Sequence, residues 1–236
     1  MVPVHLSPAP AVATVLGVDA CRGGWVGVQL RDGRFAGAHV AASISDLVAR
    51  VPDAAVVAVD IPLGLASSGE RAADRAARAL LGRRGSSVFI TPPRPVFDEP
   101  DYDSAKRRCQ ALAGWMLSRQ AWGLRAKILE ANQLYDDGIA LHEVHPELSF
   151  QRLGLCYEDG GKKTWRGQRA RLRVLNQAGI VVPEDLGAAV EKVPADDVLD
   201  AAAVAWSAGR IARGQAVCIP DPPQTGDRGR PIAIWH

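Results

Sequence analysis

Short apolar runs broken by glycine fill the first quarter of the chain, and longer alanine-rich periodic stretches fill most of the rest. Thr14 to Val18 is an unbroken apolar run that predicts a buried strand. Gly23-Gly24 turns the chain, and Trp25 to Leu30 returns as its neighbour. Arg31-Asp32-Gly33 carries the Asp-Gly dipeptide favoured in hairpins, so Arg34 to Val40 completes a meander. Ser43 is a suitable N-cap for a short helix ending near Arg50. Ala54 to Val59 is continuously apolar, the pattern of a strand covered on both faces.

Beyond Pro62 and Gly64 the period changes. Glu70 to Leu81 is helical by spacing, and Gly82 to Pro95 is a loop rich in Gly, Ser, Pro and Arg. Tyr102 to about Asp137 reads as one long helix, or two with a break near Gly123. Ile139 to His145 suits a further strand. A basic helical stretch follows Lys162-Lys163-Thr164 as far as Asn176, and Pro194 opens a last helix to about Arg213. A Pro/Gly-rich tail ends in the apolar run Pro231 to Trp235. Residues 1–13 lack a basic start and a continuous apolar stretch, so they read as a flexible leader rather than a signal peptide. Residues 14–236 form one domain. Three antiparallel strands, a helix, a fourth strand and a later fifth predict an α/β fold: a mixed five-stranded sheet with flanking helices. That order suits a ribonuclease H-like core with a helical insertion at about residues 64–137.

Composition narrows little beyond this. A 236-residue chain with 47% hydrophobic and 23% charged residues is an ordinary globular protein. A net charge of +2 implies neither nucleic acid nor membrane by itself, and no apolar run reaches a membrane span. The cysteines (Cys21, Cys109, Cys156, Cys218) show no CxxC pair, so the cytoplasm is the default compartment.

The chemistry lies in the acids. Asp19 closes the first strand and Asp60 the fourth. Asp197 and Asp200, three apart, share a face of the last helix. Acids near a helix N-terminus are favoured by its dipole, which accounts for Asp196 and Asp197 but not for Asp200, about a turn further in. Carboxylates delivered to one point by separate elements are a common means of holding Mg²⁺ or Mn²⁺, which turn their repulsion into binding energy. Glu143 and His145, at a strand end, point to one face if the strand persists. They ligate metal or exchange protons, or else Glu143 pairs with an arginine and His145 satisfies a turn. Arg22, Arg94, Lys162 and Lys163 are candidate phosphate contacts, with Trp165 available for stacking, although most such basic runs are solvated helix faces.

The segments GVDACRGGW, VDIPLGL, GRRGSSVFITPPR, EVHPELSF, KKTWRG and DDVLDA, in this order, resemble the family called domain of unknown function 429, over about residues 15–213. That family is described as predicted ribonuclease H-like nucleases. More distantly, the layout is similar to RuvC-type resolvases, whose acids lie on the first strand, the fourth strand and the last helix. The resemblance implies metal ligands at Asp19, Asp60, Asp197 and Asp200, with Glu143 as a family-specific addition. It implies hydrolysis of nucleic-acid phosphodiesters, DNA or RNA. A duplex or junction substrate would suit a homodimer. Two rivals stand beside it: a non-catalytic binding module, and a nucleotide-binding phosphotransferase. The second lacks a Walker-type loop and a second core.

Overall fold

The computed structural model describes residues 13–236, so the expected leader, Ala13 apart, lies outside the described residues. Strands β1 (Thr14–Cys21), β2 (Gly24–Arg31) and β3 (Arg34–Ala41) form the antiparallel meander. Between β2 and β3, Asp32 and Gly33 adopt φ of 50° and 74°. Both values are left-handed, as a two-residue hairpin requires. Ser43 caps α1 (Ile44–Ala49), its hydroxyl accepting the Asp46 N–H. The chain then enters β4 (Ala54–Asp60), parallel to β1, and β5 (Leu141–Glu143) later adds parallel to β4. The sheet order is β3-β2-β1-β4-β5. This is the mixed five-stranded α/β sheet expected of a ribonuclease H-like core.

Alternation along the strands sorts the core into two layers. Val15, Val26, Val28, Val56 and Ala58 face one way, under α8 (Trp165–Gln177) and α9 (Ala195–Ala212). Leu16, Val18, Val57 and Val59 face the other way, against α1 and α6 (Arg125–Asp136). Odd positions of β1 and even positions of β4 therefore belong to the α9 layer, and this parity decides where the strand-end acids point.

Between β4 and β5 the insertion contains α2 (Ala72–Leu81), a 3₁₀ segment over Gly82–Ser87, and α3 (Arg94–Phe97), followed by α4 (Tyr102–Ala113), α5 (Arg119–Gly123) and α6. The expected Gly82–Pro95 loop is thus partly helical. The expected one or two helices over 102–137 are three, because Gly114 takes a left-handed C-cap at φ 80° and Ser118 starts a new N-cap. After β5 comes α7 (Pro146–Arg152). The tail is a hairpin of β6 (Cys218–Thr225) and β7 (Pro231–Trp235), packed on α2. No helix among the described residues is long and apolar enough to cross a membrane.

Candidate metal centre

Asp19 and Asp60 are register partners on the adjacent parallel strands β1 and β4. Partners in register point to the same face, about 4.8 Å apart in backbone, and by parity that face is the α9 layer. Each acid ends its apolar run, so the run stays buried while the carboxylate reaches a cavity.

Helix α9 reaches them because small residues let it ride directly on β1. A Cβ placed at Gly17 would lie 2.0 Å from the Ala205 nitrogen and 2.4 Å from the Ala201 carbonyl oxygen. The alanines of α9 (Ala201, Ala202, Ala203, Ala205, Ala208) are all fully buried at this seam. The residue just before that seam is Asp200, 1% exposed. One carboxylate oxygen from each of Asp19, Asp60 and Asp200 lies within 4.8 Å of the others. Asp197 lines the same cavity, of about 350 Å³, from one turn earlier.

Divalent cations fit this donor set. All the ligand atoms are carboxylate oxygens, which hard cations prefer. Asp200 Oδ2 accepts from Lys162 Nζ at 2.6 Å, but its Oδ1 is buried with no hydrogen-bond partner among the described residues. An orphaned buried carboxylate oxygen is costly and is the vacancy a cation satisfies. Burial, then the charges of Asp60, Asp200 and Asp197, hold the Asp19 carboxyl well above the ordinary range. Burial lifts Asp60 to about 7, opposed by Lys162 and aided by Glu147 and Asp197. Burial likewise lifts Asp200 to about 6, with Lys162 pulling the other way. Asp197 is raised by burial and by Asp196. The site is an excess of negative charge around one lysine.

Residues 17–225 match the family described as protein of unknown function (DUF429). The chain belongs to the DUF429 family. No curated protein and no solved structure matches the chain at a significant level. The matched range holds every acid of the cluster.

In this DUF429 protein the other candidate residues divide. Lys162 lies in the cluster, 2.6 Å from Asp200 and 3.9 Å from Asp196, and although burial works against its charge, Asp200, then Asp60 and Asp19, hold it protonated. His145 lines the cavity while its Nδ1 caps α7 by accepting the Glu147 N–H at 3.2 Å. Burial lowers its pKa despite Glu147 and Asp200, so the ring is uncharged at neutral pH.

Glu143 also lines the cavity, but it is not one of the three acids whose oxygens converge. Its register partner Val59 belongs to the α1/α6 layer, so Glu143 shares that opposite face. There it pairs with the fully buried Arg71, which also binds Asp74 at 2.7 Å, and it accepts the Leu63 N–H at 2.8 Å. The strand ends at Glu143, so the alternation expected to align it with His145 does not continue. Arg94 is held by Asp136, at 2.9 Å, and by Asp227, and does not line the cavity. Arg22 and Lys163 are exposed and also outside the lining.

Sequence reasoning missed Glu147 and its pairing with Arg84 and Arg171, which read as basic residues available to a nucleic-acid backbone. Glu147 lines the cavity and pairs with Arg84, at 2.8 Å, and with Arg171. Pro146 at the first position of α7 was a readable signal for the helix. Nothing local announces the partners, 63 and 24 residues away.

Proposed function

We propose that this protein is a divalent-metal-dependent phosphodiesterase acting on nucleic acid, a nuclease. The observation that carries the reading is the convergence of Asp19, Asp60 and Asp200 with one Asp200 oxygen left unpartnered. Mg²⁺ or Mn²⁺ held there supplies an activated water and stabilises charge on the leaving oxygen. The chain's own groups do the positioning. Asp197 stands one helical turn away as a further carboxylate, and Lys162 is within reach of a phosphoryl oxygen at the same point. His145 lines the same cavity with its ring fixed by the Glu147 N–H that its Nδ1 accepts. On the outside, Trp165 is 78% exposed at the start of α8, with Arg169 5.7 Å above its ring, a surface suited to stacking a base.

The test pairs Mn²⁺ titration calorimetry with cleavage assays on labelled single-stranded DNA, single-stranded RNA and duplex DNA. Saturable Mn²⁺ binding, Mn²⁺-dependent cleavage of one substrate, and loss of both in Asp60→Asn are expected. Mn²⁺ binding without cleavage of any of these substrates would overturn the nuclease assignment.

One observation favours a second reading, a non-catalytic binding module: Lys162 already answers Asp200 and Asp196 as an internal cation. On that reading Mn²⁺ does not bind, and Asp60→Asn retains partner binding.

A further inference from the structure

Beside the acidic cavity lies a second one, of about 470 Å³, whose lining has the opposite sign. Arg83, Arg84, Arg171 and Lys162 face it, against one carboxylate, Glu147. The two cavities share Ser86, Ser87, Glu147 and Lys162, so they are adjacent.

Most of the local cations are already answered. Lys162 pairs with Asp200, Arg173 with Asp159 at 3.0 Å, and Arg83 sits 3.6 Å from Glu158 on the surface. Arg84 and Arg171 differ. Their side chains are 14% and 0% exposed, and both converge on Glu147 alone. Their other hydrogen bonds go to backbone carbonyls, of Cys156, Tyr157 and Gly160 for Arg84 and Gly167 for Arg171, and each also lies over an aromatic ring, Tyr157 at 5.8 Å and Phe150 at 5.0 Å. Carbonyl dipoles do not cancel a charge. Two poorly hydrated guanidinium groups on one carboxylate leave a positive excess, a state that an anion relieves. Arginine in such numbers suits phosphate in particular, because its planar donors match the phosphate oxygens. The exposed Ser86 adds a hydroxyl at the junction of the two cavities.

We propose that this second cavity is a phosphate subsite, holding the phosphate next along the strand from the one at the carboxylate cluster. That placement rests on the nuclease reading; the affinity for phosphate does not. A cation-binding centre and an anion-binding cavity side by side define a substrate with two phosphates, an end-phosphorylated strand rather than a lone phosphate ester.

The experiment titrates EDTA-treated protein with inorganic phosphate, and then with a 5′-phosphorylated dinucleotide and the same dinucleotide lacking that phosphate. Phosphate is expected to saturate one site, and the 5′-phosphate to tighten dinucleotide binding by about tenfold. Arg83→Glu reverses a charge on this cavity at a position 72% exposed in its side chain, so the fold tolerates it. It is expected to weaken both phosphate ligands by about tenfold with an unchanged melting temperature. Asp60→Asn is expected to bind phosphate at least as well as the wild type. No saturable phosphate binding, equal affinity for the two dinucleotides, or full binding by Arg83→Glu would each overturn the proposal. Phosphate binding as expected without any Mn²⁺ binding would remove the nuclease reading and leave the anion site standing. Mn²⁺-dependent cleavage without phosphate binding would remove only the subsite.

Discussion

Replacing Asp60 by asparagine should stabilise the metal-free protein and destabilise it relative to wild type once Mn²⁺ is present. Neither Asp19 nor Asp60 has a side-chain hydrogen bond or ion pair among the described residues, so the amide breaks no such contact. Asp60 titrates at about 7 in the folded chain against an ordinary 3.8. The folded state therefore holds a proton that the unfolded state has lost, and stability falls as pH rises from about 4 through 7. The distance from 3.8 to about 7 converts to roughly 4 kcal/mol at about 1.4 kcal/mol per pH unit. Asp60 is only half-buried and shares the repulsion with its neighbours, so about 1–3 kcal/mol is expected at pH 8. For a chain of this size that is a rise of roughly 2–12 °C in melting temperature. At pH 5 the wild-type carboxyl is mostly protonated and the advantage shrinks. Adding Mn²⁺ to about 1,000 times its Kd raises the wild type by about 4.1 kcal/mol and leaves the variant nearly unmoved, which inverts the order across that whole range. Thermal melts at pH 5 and 8, in EDTA and in Mn²⁺, read all four cells. An Asn variant less stable than wild type in EDTA at pH 8, or equal Mn²⁺ shifts in both proteins, would refute the electrostatic reasoning.

Glu143→Gln should lower stability by about 3–5 kcal/mol in urea unfolding, because it leaves Arg71 with only Asp74 in a dry site, while the Mn²⁺ affinity stays within about twofold. Lys162→Met removes the competing cation from the acidic cavity; calorimetry should show Mn²⁺ binding tightened by about tenfold, together with a lower melting temperature in EDTA. Gly17→Ala forces a methyl into the backbone of α9, and should cost several kcal/mol and weaken Mn²⁺ binding by lifting Asp200 off β1, read by urea unfolding and calorimetry. On the nuclease reading, a single strand should be cleaved faster than the same sequence in a duplex, since the acidic cavity of about 350 Å³ admits one nucleotide-sized unit.

Much of the fold was legible because its signals are local. Apolar runs with alternate faces located β1, β2 and β4, Asp32-Gly33 placed the hairpin, and Ser43 marked α1. The acids at the ends of β1 and β4 were readable because a charge that ends a buried run stands out. What made them a site was not readable: the register that aligns Asp19 with Asp60, and the close approach at Gly17 that brings in Asp200. A glycine in a strand hints at close packing but does not name the partner. For Glu143 the sequence offered pairing with an arginine as one of two roles but could not name Arg71, which lies 72 residues earlier, in a stretch that reads as a helix surface. Strand β6 was hidden for a different reason. Pro220, Pro222 and Pro223 cannot donate to a ladder, and the strand survives by pairing at its two ends, with the register shifting between Ile219 and Gln224.

The insertion explains why the acidic cluster sits in a pocket rather than on an open sheet edge. Strand-end acids in the α9 layer face solvent unless something stands opposite them. Here Ser86 to Phe89, from the end of the 3₁₀ segment onward, and Gln120 and Leu124, in α5 and at its C-cap, form that wall. The wall is anchored by the same buried pairs that hold Glu143: Arg71 ties α2 to β5, and Asp74 accepts the Thr91 N–H at 2.7 Å. Arg84 fixes the 3₁₀ segment to Glu147 on α7. The buried arginines therefore have two consequences. They hold the insertion against the core, so that carboxylates already repelling one another are also shielded from water, and around Glu147 they leave the positive charge that faces the neighbouring cavity. A site assembled this way stores its electrostatic tension in the empty state, and Lys162 is the one basic residue, among the described residues, that lines both cavities.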